Sequence, residues 1–253
     1  MNPTGARTVN AVTITCEILT TLRQTQGAGV TEIAERIDRS KGTVHSHLAT
    51  LEDNQFVVND GEEYRLSFEF LNLAEHVKDQ VPIYDSVESE IDSLASETGE
   101  VASFGVEERG QVVYVYKTES ETAVETASTI GYREHMHSTA LGKAILAHLP
   151  EERVHEIVDA HGLPQKTEFT ITDREDLIDA LETVRERGYA IDDEENVRGL
   201  RCLSAPVTSP DGVVGAVSVS GPSRRIEGEA LTDTLPDLVR RSANILEVNS
   251  KFS

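Results

Sequence analysis

Apolar side chains recur at the spacing of an α-helix in three successive segments near the start of the chain. In the first segment the predicted inward positions are Val12, Cys16, Leu19 and Leu22. A short second helix follows a glycine-containing break, with Thr31 predicted as its N-cap, and its inward positions are Ile33, Ala34 and Ile37. Ser40 is placed to cap a third helix, whose buried stripe is Val44, Leu48 and Leu51.

Short extended segments come next. "FVV" at 56–58 and "YRL" at 64–66 are separated by the turn signal Asn59-Asp60-Gly61, which predicts a β-hairpin. Three helices followed by a hairpin form the winged helix-turn-helix arrangement, whose third helix enters a DNA groove. Apolar residues at helical spacing then predict a further helix over 68–80.

The remainder of the chain alternates between helical and extended patterns. Predicted helices cover 83–97, 139–148, 151–160, 173–187 and 227–250. Predicted strands cover 101–106, 111–117, 123–128, 200–207 and 213–220, the last two joined by a Pro-Asp-Gly turn. The fold class is therefore α+β, with a mainly antiparallel sheet flanked by helices in the second part.

Charge and cysteine content indicate the cellular compartment in which the protein works. The chain has 45 acidic and 23 basic residues and a net charge of −22, with the acid spread over every polar face, as expected of a surface adapted to a very salty cytoplasm. No run of about 18 apolar residues and no signal-peptide layout occurs. Cys16 and Cys202 lie far apart without metal-type spacing, so we expect no disulfide framework and a cytoplasmic protein.

The acid is distributed unevenly. Residues 1–70 carry 6 basic and 10 acidic residues, whereas residues 71–253 carry 17 and 35. Between residues 20 and 50 the balance is four basic to three acidic, and two histidines add hydrogen-bond donors. The least acidic part of the chain therefore surrounds the third predicted helix, and local charge there permits contact with a polyanion.

Three separated segments resemble one known family. "GYREHMHSTALGKAILAHLP", "GYAIDDEENVRGLRCLSAPV" and "GAVSVSGPSRRI" look like the effector-binding domain of IclR-type transcriptional regulators, in the same order and at similar spacing. With the winged helix-turn-helix ahead of them, the resemblance covers nearly the whole chain. It implies a DNA-binding domain over 1–67, a connecting and dimerising helix over 68–82, and a GAF-like effector-binding domain over 83–253. It also implies a homodimer or dimer of dimers, operator DNA and a small metabolite as partners, and no cofactor.

The third helix supplies most candidate DNA contacts. Thr43, His45 and Ser46 lie in its first turns, where a recognition helix meets base edges. The residues expected near phosphates or at the edges of this surface are Arg36, Arg39, Ser40, Lys41, Thr50 and Arg65. Family members commonly carry a basic residue where this chain has Ser46, and the predicted wing tip is acidic, so the operator sequence is an open question.

The candidate effector pocket lies in the second part. "GKA" at 142–144 is no phosphate loop, because the required earlier glycine is His137 and the Mg²⁺-binding hydroxyl is replaced by Ala144. The resemblance instead implies that the backbone N–H groups of Ala140 and Leu141, and the side chain of Asp192, line the pocket. The predicted strands add Cys202, Ser218 and Ser220, of which the two serines share one face. Residues 193–195 are interpreted as a solvated acidic turn.

Two other function classes stay open at this level. The His135–His137 pair has chelating spacing, which would suit a metal-sensing regulator, although no cysteine or carboxylate cluster lies nearby in the sequence. An enzyme with an accessory DNA-binding domain is the other alternative, but the chain has neither a G-x-S-x-G elbow nor an H-E-x-x-H helix. We therefore expect a regulator without catalytic residues or a bound metal.

Overall fold

A computed structural model describes residues 7–81, 83–121, 123 and 128–250 of the chain. The chain divides into two units, Met1–Gln80 and Val81–Ser253. The elements of the first unit are α1 (Asn10–Thr25), α2 (Val30–Arg36), α3 (Lys41–Asp53), β1 (Val57–Asn59), β2 (Tyr64–Leu66) and α4 (Glu69–Lys78). Strands β1 and β2 pair in antiparallel register, which confirms the predicted winged helix-turn-helix.

The core of the first unit differs from the predicted one at α1. The buried stripe of that helix is Ile14, Ile18 and Leu22, whereas Val12 and Cys16 are exposed. Both stripes have helical spacing, and the sequence pattern did not distinguish them because Cys16 and Val12 are as apolar as the isoleucines. The stripe on α3, by contrast, is buried as predicted.

The predicted N-cap is confirmed for α3 and is wrong for α2. Ser40 caps α3, because its hydroxyl accepts a hydrogen bond from the Thr43 N–H at 3.1 Å. Thr31 does not cap α2, since that helix begins at Val30 with Gly29 as its N-cap and no side-chain bond. The close approach of Gly29 to the Glu62 carbonyl on the wing leaves a side chain there little room, with a Cβ only 3.3 Å from that oxygen.

Helix α4 has no buried residue. Phe68 just before it, Leu71 and Val77 are 78%, 62% and 58% exposed. Phe70 points the other way, because its ring lies 5.6 Å from the ring of Phe56 in the same unit. The first unit therefore presents large apolar side chains at and just before α4 that no described residue of this unit covers.

The second unit is built on one six-stranded sheet. Its helices are α5 (Tyr84–Thr98), α6 (Ala140–Leu146), α7 (Glu151–His161), α8 (Arg174–Arg187) and α9 (Leu235–Ser250), the last preceded by a π-helical turn (Ala230–Thr234). Its strands are β3 (Val101–Glu108), β4 (Gln111–Glu119), β5 (Arg133–His135), β6 (Ala190–Asp193), β7 (Leu200–Ser209) and β8 (Gly212–Pro222). The order β5-β4-β3-β8-β7-β6 is antiparallel throughout, which confirms the predicted sheet type.

The two faces of this sheet have different character. One face packs Phe104, Leu203 and Val217 against α5 and α9 in a continuous apolar core. The other face packs Val112 and Ala216 against α6, α7 and α8. Successive residues of a strand point to opposite faces, so the serines that follow Ala216 at every second position lie on the α6 side.

The two edge strands of the second unit depart from the predicted elements. The short edge strands β5 and β6 were not predicted, because three or four residues with charged members give no period-two signal. The predicted strand over 123–128 lies largely outside the described residues. No helix in the described parts of the chain is long and apolar enough to cross a membrane.

Candidate functional site

The outer face of α3 is polar and open. Lys41, His45 and Ser46 are exposed; Ser46 lies opposite the buried stripe, and Lys41 and His45 lie toward its edge. Thr50 is exposed one turn further on, and Thr43 is half-buried beside the cap. The helix thus separates its residues into one stripe that holds it on the core and one face that is available to a partner.

Hydroxyl groups on this face are held by the helix itself. Ser46 Oγ donates to the Gly42 carbonyl at 3.0 Å, and Thr50 Oγ1 donates to the Ser46 carbonyl at 2.9 Å. Thr43 Oγ1 lies 2.8 Å from the capping hydroxyl of Ser40. Because Ser46 and Thr50 use their hydroxyl protons within the helix, their oxygens keep acceptor capacity and fixed positions toward solvent.

The basic residues around α3 fall into two groups. Arg36 pairs with Glu32 at 2.9 Å, and an Arg39 nitrogen lies 3.7 Å from a Glu17 oxygen, so both are partly neutralised. Lys41, His45 and Arg65 are exposed and have no ion-pair partner within the described residues. The predicted DNA-binding residues are therefore all accessible at least in part, and Lys41 and Arg65 carry the unshared charge.

In the second unit, α6 begins against a very close backbone contact. A Cβ at Gly142 would lie 2.1 Å from the Met136 carbonyl oxygen, so only glycine fits at position 142 of the "GKA" segment. Thr139 caps the helix by accepting from the Gly142 N–H at 3.0 Å, and the Lys143 N–H donates to the Thr139 carbonyl. The N–H groups of Ala140 and Leu141 have no acceptor within the described part of the chain.

Three predicted pocket residues are brought into one row across the sheet. Asp192 on β6 pairs in register with Cys202 on β7, and Cys202 pairs with Ser220 on β8. Residues paired this way point to the same face. The Cys202 thiol is within hydrogen-bonding reach of both Asp192 and Ser220, and burial, followed by the nearby Asp192 carboxyl, raises the pKa of the Cys202 thiol. The thiol therefore stays protonated and serves as a weak donor rather than a nucleophile.

Asp192 is a buried carboxyl with an unusual proton affinity. Its Oδ1 accepts from the backbone N–H of Glu195 at 2.7 Å and of Asn196 at 3.2 Å. Burial raises the pKa of Asp192 to about 7, the Glu195 carboxylate adds to the rise, and Lys143 and the two N–H groups oppose it. At neutral pH this residue can therefore accept or donate a hydrogen bond.

The interpretation of residues 193–195 as a solvated turn is wrong for Glu195. Glu195 is buried and forms an ion pair with Lys143 of α6, whose side chain is only 4% exposed. The second carboxylate oxygen, Oε2, has no hydrogen-bond partner within the described residues. A run of four acidic letters looks solvated in the sequence, and nothing in it marks the distant lysine that holds one of them inside.

Sequence reasoning missed two other side chains on the α6 face. Ser103 on β3 pairs in register with Ser218 on β8, and both are 2% exposed. Tyr114 on β4 lies over the same face, and burial, then Cys202, Glu134 and Asp192, raise the pKa of its phenol. Alternation along β3 would have placed Ser103 on this face once the strand order was known.

The His135–His137 pair lies beside His161, and one ring nitrogen each of His137 and His161 is engaged by a carbonyl. His135, His137 and His161 have ring centroids 5.6 and 6.4 Å apart. His137 Nε2 donates to the Pro164 carbonyl and His161 Nε2 to the Arg109 carbonyl, since a carbonyl can only accept. Burial lowers the pKa of His137 to about 4. No group of three metal-ligating side chains arranged around one point occurs among the described residues.

Two family models match the chain over most of its length. Residues 11–61 match the IclR helix-turn-helix domain, and residues 75–247 match the bacterial transcriptional regulator IclR C-terminal domain. The probable HTH-type transcriptional regulator ArcR of Halobacterium salinarum is 32% identical over 247 residues, which cover 96% of this chain and 94% of that protein. The HTH-type transcriptional regulator KdgR of Escherichia coli is 34% identical, over 85% and 83% of the two chains.

Solved structures give the same result. The Thermotoga maritima IclR structure superposes with a TM-score of 0.82 at 29% identity, covering 95% of this chain and 98% of that one. An IclR homologue from Microbacterium hydrocarbonoxydans, complexed with 4-hydroxybenzoate, has a TM-score of 0.84 at 18% identity and supports the fold alone. The matching family models and relatives are transcriptional regulators rather than enzymes. From its two matched domains and its full-length relatives, this chain belongs to the IclR family of transcriptional regulators.

Proposed function

We propose that this regulator binds double-stranded operator DNA through α3 and responds to a small hydroxylated carboxylate or sugar-derived acid bound on the α6 side of its sheet. The observation that carries the DNA part is the open polar face of α3, where Lys41 and His45 have no competing partner within the described residues. Thr43, His45 and Ser46 meet base edges, and Lys41, Thr50 and Arg65 meet phosphates. Arg36, Arg39 and Ser40 lie at the edges of this surface.

The DNA assignment is tested by fluorescence anisotropy with the intergenic DNA upstream of the protein's own gene, in about 1 M KCl. Lys41→Ala removes a charge-assisted contact, so we expect binding to weaken about tenfold, which corresponds to about 1.4 kcal/mol. Arg23→Ala is the matched control, because Arg23 is an exposed base on α1 outside the proposed surface. Equal affinities of the two variants would place the DNA contact elsewhere.

The effector assignment depends on polar groups that converge on one face. Asp192, Cys202 and Ser220 form one row, and Ser218 lies two residues before Ser220 on the same strand. The unpaired N–H groups of Ala140 and Leu141 add hydrogen-bond donors for an anionic group of the ligand. Hydroxyl groups of a ligand would form hydrogen bonds with Asp192 and Ser220. Its carboxylate would accept hydrogen bonds from the Ala140 and Leu141 N–H groups.

The ligand is found by thermal-shift screening of hydroxy acids and sugar acids, and its affinity is then measured by calorimetry. Asp192→Ala and Ser220→Val are expected to weaken binding at least tenfold, because each removes a partner inside a buried site. Operator affinity without ligand should be unchanged in both. Unchanged ligand affinity in both variants would move the pocket away from this row.

Regulation follows from a shift of population between two arrangements of a dimer. A single winged domain reads a short site, and proteins of this kind pair two of them on a palindromic operator. The exposed apolar side chains of α4, Leu71, Leu73 and Val77, would supply the surface that pairs two first units. We infer a homodimer formed through α4, which can associate further into a dimer of dimers.

A further inference from the structure

Two arginines beside α3 are already paired with carboxylates of the first unit. Arg36, the last residue of α2, contacts Glu32 one turn earlier, with Nε at 3.0 Å and Nη2 at 2.9 Å from the same carboxylate oxygen. Arg39, the residue before the Ser40 cap of α3, has its Nη2 3.7 Å from Glu17 Oε2 on α1. The four charged side chains are 36 to 52% exposed. Each arginine can therefore leave its carboxylate without disturbing the core.

The contact between Arg39 and Glu17 leaves both partners incompletely bonded. Glu17 Oε2 is shielded from water and has no hydrogen-bond partner within the described residues. A separation of 3.7 Å is too long for a hydrogen bond, so Arg39 neutralises this oxygen by charge alone. The guanidinium has five N–H donors, and one of them is donated to the Asp38 carbonyl at 3.1 Å. If Arg39 turns to another anion, the shielded oxygen needs a replacement cation, because a buried charge without a partner is strongly destabilising.

Both arginines lie where a helix-turn-helix meets the DNA backbone. The first helix of such a motif crosses the phosphates while the second lies in the groove. Arg36 ends the first of these helices, α2, and Arg39 lies in the turn that leads into α3. A phosphate offers a guanidinium short, bidentate, charge-assisted hydrogen bonds, whereas an exposed ion pair contributes little to stability. Operator DNA therefore competes effectively with the two carboxylates.

An exchange of this kind has a different ion balance from ordinary phosphate binding. Duplex DNA carries condensed cations, and each phosphate that a free cationic side chain neutralises contributes about −0.9 to the slope of log affinity against log salt. Lys41, which has no carboxylate partner within the described residues, belongs to this ordinary class. An arginine that leaves a carboxylate neutralises one phosphate and uncovers one negative charge. The cation released by the DNA is then taken up by the protein, and the net release is zero.

We propose that Glu17 and Glu32 take up monovalent cations when operator DNA binds. The DNA phosphates draw Arg39 and Arg36 away from these carboxylates, and a cation such as K⁺ replaces each guanidinium. This assignment rests on the proposed DNA surface and deepens it, because it names the two acidic residues that take up cations. It also divides the basic residues of the surface into those that release cations from the DNA and those that exchange them.

The exchange is tested by measuring the salt dependence of DNA binding in carboxylate variants. Fluorescence anisotropy with the upstream intergenic DNA gives the affinity at KCl concentrations from about 0.5 to 2 M. Glu17→Gln and Glu32→Gln keep the size of the side chain and remove the charge that takes up the cation. Each variant should release one more cation than the wild type, so its slope should be steeper by about 0.9. Over this range its affinity should fall about 3.5-fold more than that of the wild type, and the affinity of the double variant about 12-fold more.

Two kinds of control separate exchange from a general effect of charge. Glu35→Gln removes the same charge from an exposed position of α2 that forms no ion pair within the described residues. Because the Debye length is about 3 Å at 1 M salt, its plot should run parallel to that of the wild type. Arg39→Gln should lower the affinity without changing the slope, since it removes an exchanging residue. Lys41→Ala should lower the affinity and make the slope shallower by about 0.9.

Parallel plots for the wild type, Glu17→Gln and Glu32→Gln would overturn the proposal while leaving the DNA surface in place. A plot for Arg39→Gln that is as shallow as that for Lys41→Ala would overturn it as well. A folded wild type that does not bind the DNA would remove the DNA surface and this inference together, which is a distinguishable result. Circular dichroism at each KCl concentration checks that the variants are folded. If Glu17→Gln does not fold, Glu32→Gln decides the question, because its ion pair lies on the exposed surface.

Discussion

Replacing Asp192 by asparagine tests the electrostatics of the buried row. The carboxyl is 3% exposed and its pKa is raised from 3.8 to about 7, chiefly by burial. Asparagine has the same shape and keeps an oxygen that can accept from the Glu195 and Asn196 N–H groups. The variant therefore removes the titration and preserves the packing.

The sign of the effect follows from proton linkage. The unfolded chain releases the Asp192 proton near pH 4, whereas the folded protein holds it to about pH 7. The stability contributed by this proton is therefore complete below pH 4 and is lost as the pH rises to 7. Each pKa unit is worth about 1.36 kcal/mol, so the total is about 4 kcal/mol, of which about 2 to 3 kcal/mol falls between pH 5 and pH 8.

Urea unfolding followed by far-ultraviolet circular dichroism measures this difference. In 2 M KCl, Asp192→Asn should become more stable relative to the wild type by about 2 to 3 kcal/mol on going from pH 5 to pH 8. Taking the difference between the two proteins cancels the titration of the other carboxylates. A difference that does not change with pH would show that Asp192 is ionised throughout this range and that the argument from burial is wrong.

Three further predictions address the ion pair, the assembly and the salt response. Lys143→Met leaves the buried Glu195 carboxylate without its partner, so the free energy of unfolding should fall by about 3 to 5 kcal/mol in urea unfolding; a loss below about 1 kcal/mol would contradict a tightly paired state. Leu71→Glu should convert a dimer to monomers in light scattering at high KCl, whereas Phe70→Glu would also break the ring contact with Phe56; a monomeric wild type would refute the α4 interface. Operator affinity should fall only shallowly with KCl between about 0.5 and 2 M, because acids near the DNA take up cations and offset counterion release; a steep loss in a folded protein would show ordinary charge neutralisation.

The sequence was sufficient wherever one pattern had one interpretation. Ser40 followed by the stripe Val44, Leu48 and Leu51 predicted both the start and the buried side of α3, because a cap and a period of 3.6 agree. The antiparallel sheet followed from alternating strands joined by a tight turn. The sequence and the resemblance single out Asp192, Cys202 and Ser220 as separate pocket candidates, but their alignment in one row depends on the strand order.

The failures have a common physical origin in contacts between distant residues. Two stripes on α1 satisfied the helical period, and only packing against α2 and α3 selects Ile14 and Ile18. Glu195 looks solvated in the sequence because its partner Lys143 is far away in the chain. Ser103 was missed because its significance arises from Ser218, a register partner on a strand formed much later.

The position of β3 beside β8 has a consequence for how the second unit folds. Val101 pairs with Ser220, so the centre of the sheet joins the first strand of this unit to the last. During synthesis, β3 and β4 can form a hairpin early, but the other edge of β3 stays unpaired until β8 has left the ribosome. Pairing between such distant segments is slow, and an open strand edge is prone to associate with other chains. Translation that stops before Gly212 would therefore leave an incomplete sheet that is prone to aggregate. We expect molecular chaperones to bind such a chain along the open edge of β3.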